Sequence, residues 1–203
     1  MKETVPRASG GVRPDADDDA ALIAASRRAP ECFGVLFDRH AAAISRYAVR
    51  RLGPDAAEDL VAETFLTAFR KRSRYDAAHL DARPWLYGIA TRLIGQHRRD
   101  EVRYWRAIAR TGVDPAAEPL ADQVTDRVDA QAAAREVAAA LAGLSQGQRD
   151  VLLLVASGLG YAEVAVALGV PAGTVSSRLV RARQKVRETL GEPVPSTQEG
   201  TAE

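Results

Sequence analysis

The chain of 203 residues has one cysteine and three histidines, and aromatic residues make up only 5% of it. A lone cysteine, Cys32, cannot form a disulfide within the chain or a cysteine zinc site, and we expect it to be a small buried hydrophobe. His40, His79 and His97 do not have the spacing of a metal site. Neither glycine-rich phosphate-binding motif is present. These absences argue against an enzyme and predict no metal and no cofactor.

Long apolar runs are also missing. The first 19 residues contain no apolar stretch of the kind found in signal peptides, and the longest strongly apolar run, 151–156, is far too short to cross a bilayer. Hydrophobic residues nevertheless make up 46% of the chain and charged residues 27%, which is typical of a folded, soluble protein. We therefore expect a cytoplasmic protein without membrane insertion.

Apolar residues recur at helical spacing along most of the chain, and no segment alternates as a strand would. This pattern predicts an all-α fold with two small helical domains joined by a flexible acidic linker. Proline, glycine and charge mark the linker and the two ends. The predicted organisation is a disordered N-terminus (1–17), a first domain (18–110), the linker (111–131), a second domain (132–190) and a disordered tail (191–203).

The segment Tyr161–Val180 has the pattern of a helix-turn-helix. Gly169 can adopt the left-handed conformation that ends the first helix, and Val175 and Leu179 begin an apolar stripe along the second. The opposite face is polar and basic, as expected of a recognition helix in a major groove. The alternative is a helical hairpin with a solvated basic face. The residues that we expect to contact bases or phosphates are Thr174, Ser176, Ser177, Arg178, Val180, Arg181, Arg183 and Lys185.

An acidic face is predicted on the helix that begins near Asp55. Asp55, Asp59 and Glu63 follow one another at intervals of four, with Glu58 nearby. Acids near a helix N-terminus also favour the helix dipole, so simple solubility accounts for them as well as a docking surface for a basic partner does. The spacing alone leaves both interpretations open.

A single basic helix is predicted from Pro84 to about Arg110. Arginines project from the side opposite its apolar stripe, Gln96 lies among them, and aromatic residues are interleaved. Such a stripe suits a nucleic-acid backbone with unstacked bases. The alternative is a solvated arginine face over core tryptophans. The arginines are Arg92, Arg99, Arg103, Arg106 and Arg110, and the aromatic residues are Trp85, Tyr87, Tyr104 and Trp105.

Four sequence blocks in this order carry a resemblance to a known family. They are Asp55–Arg70, Arg83–Arg92 with Arg98 and Arg99 after it, Leu144–Leu154, and Gly173–Arg183. Together they resemble the bacterial extracytoplasmic-function (ECF) sigma factors, over about residues 18–190. The resemblance implies a sigma region 2 domain and a sigma region 4 domain, and an alternative sigma factor that directs promoter-specific transcription initiation.

The resemblance also implies partners and roles. The partners are core RNA polymerase, through its β′ clamp helices and β flap, promoter DNA, and an anti-sigma factor. Asp55, Glu58, Asp59 and Glu63 would dock on the clamp helices. The recognition helix would read the −35 element, and the loop 75–82 would hold flipped bases of the −10 element. The residues implied for −10 binding are Arg83, Trp85, Arg92, Gln96, Arg98, Arg99 and Arg103.

Three positions depart from the family pattern. Arg92 stands where asparagine is common, Gln96 where a carboxylate is frequent, and Ser176 where lysine or arginine is usual. The −10 preference therefore cannot be transferred, and one −35 phosphate contact is missing. The alternative function is a conventional helix-turn-helix regulator of LuxR type, although the first domain lacks the strands of a receiver domain.

Overall fold

The computed structural model describes residues 18–113 and 124–191, and the regular structure of these residues is entirely helical. This confirms the predicted all-α fold for the described part of the chain. The predicted disordered segments, 1–17 and the tail from 192 onwards, lie outside the described residues. The α-helices are α1 Asp19–Ala25, α2 Phe33–Leu52, α3 Pro54–Lys71, α4 Arg83–Gln96, α5 Arg98–Thr111, α6 Val124–Gly143, α7 Gln146–Ala156, α8 Tyr161–Leu168 and α9 Ala172–Leu190, with 3₁₀ turns at Pro30–Cys32 and Arg72–Arg74.

Helices α1–α5 form an N-terminal domain around one apolar core. Leu36 and Ile44 of α2, Phe65 of α3 and Leu86 and Ile94 of α4 are all buried in it. Each pair follows the helical spacing that puts apolar side chains on one face, so the stripe of each helix faces the same interior. Cys32 does not belong to this core. It is half-buried in the first 3₁₀ turn, because that turn lies at the edge of the domain.

Helices α6–α9 form a C-terminal domain that contains the predicted helix-turn-helix. Ser145 caps α7 by accepting a hydrogen bond from the Gln148 amide, and the Gln148 side chain accepts one from the Ser145 amide in return. Gly169 ends α8 with φ +64, a left-handed conformation that favours glycine. Val175 and Leu179 of α9 are buried against α7 and α8, as the apolar stripe predicted.

Two sequence-based boundaries are wrong. The single helix predicted over 84–110 is two helices, because the backbone turns at His97 (φ −94, ψ 23) and lets α5 pack against α6. The predicted linker ends earlier than residue 131, because α6 begins at Val124. That helix is rich in alanine and has no proline, and its only glycine is its last residue, Gly143. Residues 114–123 of the linker lie outside the described residues.

Candidate polymerase-binding and nucleic-acid-binding surfaces

Helix α9 presents the polar face that the sequence predicted. Ser176, Ser177, Val180, Arg181 and Arg183 are exposed, and Val180 is 65% exposed. This face lies opposite the buried stripe of Val175 and Leu179, so the domain core fixes its orientation. An exposed aliphatic side chain among hydroxyl and guanidinium groups is suited to base edges, where thymine offers a methyl group.

Three side chains of α9 that were predicted to contact DNA make contacts within their own domain. The Lys185 ammonium donates a hydrogen bond of 2.6 Å to the carbonyl of Gly143 at the end of α6. The half-buried Arg178 guanidinium packs against Gly147 at the start of α7. The Ser177 hydroxyl donates to the carbonyl of Thr174, which is itself half-buried. Arg181 and Arg183 are therefore the better placed cations for DNA.

The start of α4, the loop 75–82 and Val166 and Ala167 of α8 line a cavity of about 280 Å³. Trp85 is half-buried in its wall and lies edge-on to Tyr75, with 4.9 Å between ring centroids. The Tyr75 hydroxyl donates a hydrogen bond of 2.6 Å to the carbonyl of His79, which ties the loop to the ring. Burial and the surrounding carboxylates raise the pKa of Tyr75 above its usual range, so the phenol stays a donor. Arg92 lines the same cavity.

A buried carboxylate anchors that loop to α1 and α2. Asp19 Oδ2 accepts hydrogen bonds from His40 Nε2 at 2.7 Å and from the Ala82 amide at 2.9 Å, and Oδ1 accepts one from Arg39 at 3.1 Å. Burial raises the pKa of Asp19, but these hydrogen bonds outweigh it and hold the pKa below its usual value. Asp81 lies close enough to complete a three-ligand cluster with Asp19 and His40. Since Asp19 already uses both oxygens, anchoring accounts for the cluster without a metal.

The arginines of α5 form a separate surface. Arg98, Arg99, Arg103, Arg106 and Arg110 are exposed and line one shallow groove. The stripe predicted to run from Arg92 through this set is therefore wrong at its first member. The turn at His97 separates α4 from α5, and Arg92 lines the cavity with Trp85 on α4. Gln96 lies with Arg98 and Arg99.

The interleaved aromatic residues are mostly core. Tyr87 is 3% exposed and Trp105 is 7% exposed, and Tyr104 is half-buried against Trp105. The alternative of core tryptophans thus holds for Trp105. Trp85 alone among these four borders the cavity beside the loop.

The four predicted docking acids, Asp55, Glu58, Asp59 and Glu63, are all exposed on α3. The sequence reasoning missed an apolar surface beside them. Phe37 of α2 is 43% exposed and packs edge-on against Phe65, and it borders a shallow groove with Val61 and Glu58. Exposed large apolar side chains next to charge are typical of a protein-binding surface. Phe37 could have been noticed as a bulky residue one position after the buried Leu36.

A buried ionic cluster joins the two domains, and the sequence reasoning missed it as well. Arg51 of α2 bonds through Nε to Glu101 of α5 and through a terminal nitrogen to Asp150 of α7, at 2.6 Å. The second oxygen of Glu101 accepts a hydrogen bond of 3.1 Å from Arg149. Arg149 also donates to the carbonyls of Leu141 and Leu144. Of these residues, Arg51 alone could have been noticed in the sequence, because it lies at helical spacing from Ile44 and Ala48 on an otherwise apolar face.

Comparison with known proteins shows which class of protein this chain belongs to. Two family models match the chain, sigma-70 region 2 over residues 36–104 and sigma-70 region 4 over residues 134–186. The chain therefore has the two domains of a sigma factor. Its relatives include ECF sigma factor SigL of Mycobacterium tuberculosis, 38% identical over 160 residues that cover 77% of this chain and 88% of SigL. Another is ECF sigma factor SigE of Mycolicibacterium smegmatis, 34% identical over 76% of this chain and 60% of SigE.

Solved structures agree with the sequence relatives. CnrH, solved in complex with the cytosolic domain of CnrY, matches with a TM-score of 0.61 and 26% identity over 87% of this chain and 98% of CnrH. The sigma factor RpoE, solved with the anti-sigma factor NepR from Bartonella quintana, matches with a TM-score of 0.56 and 26% identity over 79% of this chain and 98% of RpoE.

The chain belongs to the ECF RNA polymerase sigma factors and is an alternative sigma factor that directs transcription initiation. A LuxR-type regulator is not favoured, because the region 2 match covers most of the N-terminal domain. Among residues 18–113 and 124–191, no helix has the length and apolar character needed to cross a membrane.

Proposed function

We propose that three surfaces divide the work of promoter recognition in this sigma factor. The acidic face of α3 docks on core RNA polymerase, the cavity between α4 and the loop 75–82 binds the −10 element, and α9 reads the −35 element. The observation that carries the proposal is the separation of charge. Four exposed acids follow one another on α3, whereas α5 and α9 each carry exposed arginines.

Docking on polymerase uses Asp55, Glu58, Asp59 and Glu63 together with Phe37. The four carboxylates are exposed and lie beside a shallow apolar groove. A basic partner helix would meet charge at the rim and apolar surface at the centre, the usual arrangement of a protein interface. The β′ clamp helices are the partner that we propose for this surface, and the β flap is the partner for the C-terminal domain.

Binding of the −10 element uses the cavity beside Trp85. A half-exposed indole ring can stack on an unpaired base, which is worth about 1–3 kcal/mol in single-strand binding. Arg83, Arg92, Gln96, Arg98, Arg99 and Arg103 supply the contacts to the strand. Because Arg92 replaces the usual asparagine, we assign it a phosphate or base-edge contact beside Trp85, where it lines the same cavity.

Reading of the −35 element uses the exposed face of α9. Arg181, Val180 and Ser177 face outward opposite the buried stripe and are placed for base edges. Arg183 flanks them for phosphates, and the guanidinium of Arg178 would leave Gly147 to reach another. Thr174 and Ser176 supply hydroxyl groups at the helix start, and the ammonium of Lys185 would leave Gly143 to reach a phosphate.

An anti-sigma factor is the regulatory partner that we propose. The two solved structures compared above are complexes, one with the cytosolic domain of CnrY and one with the anti-sigma factor NepR. The exposed apolar residues Phe37 and Leu66, which are 43% and 47% exposed, are available to such a partner on the N-terminal domain.

The testing experiment measures binding of the full chain to core RNA polymerase, followed by run-off transcription from a genomic promoter pool. Wild type should bind core and yield promoter-specific transcripts, which also reveal the −10 and −35 elements. The double variant Asp59→Lys, Glu63→Lys should bind core at least about tenfold more weakly, because opposite charge becomes like charge. The matched control Glu31→Lys reverses an exposed acid outside α3 and should bind normally. Equal binding by both variants would refute the docking surface.

A further inference from the structure

A polar cavity of about 290 Å³ lies where α2, α4 and the end of α7 meet. Its cations are Arg46 and Arg50, one turn apart on α2, and Arg83 at the start of α4. Within residues 18–113 and 124–191, no carboxylate lines this cavity. Three positive charges therefore converge on one concave site, which we call the arginine pocket.

This convergence of charge costs free energy unless a bound group compensates it. Arg46 and Arg50 stand four residues apart on α2, and like charges at this spacing repel each other. Both are exposed, and neither has a hydrogen bond or an ion pair with another residue of the described ranges. Arg83 is half-buried and donates one long hydrogen bond, of 3.4 Å, to the carbonyl of Gly158. Most donors of the three guanidinium groups are therefore unused.

A buried phenol offers a further donor to the arginine pocket. Tyr87 is 3% exposed and lies one turn after Arg83 on α4. Its hydroxyl reaches only the carbonyl of Ala43, at 3.5 Å, whereas an ordinary O–H···O hydrogen bond measures about 2.7–2.8 Å. Burial raises the pKa of Tyr87, and the charges of Arg83, Arg46 and Arg50 offset this only in part. The hydroxyl therefore stays protonated and can donate to a group in the pocket.

The end of α7 does not account for these cations. Cations favour a helix C-terminus because its last carbonyls lack partners within the helix. The last carbonyls of α7 already accept hydrogen bonds from the amides of residues 157–159. The Ser157 hydroxyl, which also lines the pocket, donates to the carbonyl of Leu153. Helix α7 therefore supplies a wall of the pocket and leaves the arginine donors for another acceptor.

We propose that the arginine pocket binds a small anion with two linked phosphoryl groups, through Arg46, Arg50, Arg83 and the Tyr87 hydroxyl. Planar guanidinium groups match phosphoryl oxygens with paired N–H donors. The cavity has room for about ten groups the size of a water molecule, which suits two phosphoryl groups better than one. Two phosphoryl groups also carry enough negative charge to balance three guanidinium groups.

A small anion fits the arginine pocket better than a nucleic-acid strand does. The phenol is buried and α7 forms a wall, so the sugars and bases of a strand would have little space beside the phosphates. Arg46 and Arg50 belong to none of the promoter or polymerase surfaces proposed above, and Tyr87 does not line the cavity beside Trp85. Arg83 is shared with the proposed −10 set, so the tests leave it unchanged.

Isothermal titration calorimetry of the free full-length protein with inorganic diphosphate tests the proposal. Wild type should bind diphosphate at least about tenfold more tightly than orthophosphate at the same ionic strength. The double variant Arg46→Gln, Arg50→Gln should lose at least about tenfold in affinity, because two charged donor groups are gone. The matched control Arg28→Gln, Arg70→Gln removes the same charge from exposed arginines outside the pocket and should bind as wild type does.

Tyr87→Phe tests the phenol by itself. The variant keeps the ring and loses only the 3.5 Å contact to Ala43, so it should fold normally and bind diphosphate about tenfold more weakly. Thermal unfolding gives an independent readout, since diphosphate should raise the Tm of wild type and of the matched control, but not that of the Arg46, Arg50 double variant. Without diphosphate, the double variant should melt no lower than wild type, because it loses only charge repulsion.

No binding of diphosphate to wild type, or equal affinity in the double variant and its control, would overturn the proposal. A nucleoside diphosphate that binds as tightly as inorganic diphosphate would support recognition through the phosphoryl groups, and tighter binding would identify a nucleotide as their source. A single-stranded oligonucleotide that requires Arg46 and Arg50 and is not displaced by diphosphate would overturn the small anion in favour of a strand. The variants spare the residues assigned to promoter and polymerase binding, so these outcomes leave the proposed function untouched.

Discussion

Replacing Glu101 with glutamine should open the domains rather than unfold them. Glu101 is 1% exposed, and its two oxygens bond to Arg51 and Arg149. The isosteric Glu101→Gln removes the charge and turns one acceptor into a donor that faces a guanidinium. The closed cluster then holds two cations against the single carboxylate of Asp150. Breaking a buried ion pair in this way costs about 3–5 kcal/mol, which corresponds to a shift of about 10²- to 10⁴-fold from packed toward separated domains.

The penalty applies while the domains are packed together, because water can reach the unpaired guanidinium groups when the domains part. Wild type should therefore unfold in urea as one cooperative unit, whereas Glu101→Gln should show two transitions, each belonging to one domain. The control is Asp100→Asn, which alters the neighbouring acid. Asp100 is 53% exposed and pairs with Arg103 on the surface, so its removal should cost at most about 1 kcal/mol. A single transition in Glu101→Gln, at the wild-type midpoint, would refute the reasoning.

The remaining predictions concern the anchor, a helix cap and the recognition helix. Asp19→Asn should lower the free energy of unfolding by about 1–3 kcal/mol at pH 7. Because the folded-state pKa of Asp19 lies below its unfolded value near 3.8, this difference from wild type, measured by urea unfolding, should fade as the pH drops below 3.8. A difference that stays constant with pH would contradict the anchoring role. Ser145→Ala should cost about 1 kcal/mol in the same assay through loss of the α7 cap, and an unchanged midpoint would exclude that role. In binding to −35 duplexes, Arg181→Ala should lose about 1–3 kcal/mol of binding free energy and relax the preference at one base pair. Arg183→Ala should weaken binding to all sequences and reduce the slope of log affinity against log salt by about 1. Identical sequence and salt dependence in the two variants would contradict the assignment of Arg181 to a base and Arg183 to a phosphate.

Features with a local cause could be predicted well. The helix-turn-helix could be predicted from Gly169 and the apolar stripe that begins at Val175, because residues close together in the sequence determine both the turn and the apolar spacing. The Ser145 cap has a local cause as well, because its partner Gln148 lies only three residues further along the chain. The exposed acids of α3 also followed, because charges opposite an apolar stripe face water. Their role in docking stays a prediction.

Features that depend on distant residues could not be predicted. The turn at His97 breaks a run whose apolar spacing continues, because α5 gains its contacts from α6 and from the cluster around Glu101. The anchor of the loop 75–82 joins Asp19 to Ala82, more than sixty residues away. Neither contact produces a periodic pattern of residues in the sequence.

The sequence by itself determined that the protein is helical, that it carries a helix-turn-helix, and that its family is that of the ECF sigma factors, because these depend on local periodicity and on motifs of contiguous residues. The tertiary structure decided which arginines are exposed and which are buried. Arg51 and Arg149 look in the sequence like any other cations of this arginine-rich chain, yet they lie in the interior between Glu101 and Asp150. That placement requires both domains together, since a buried charge is stable only where its partners from other helices reach it.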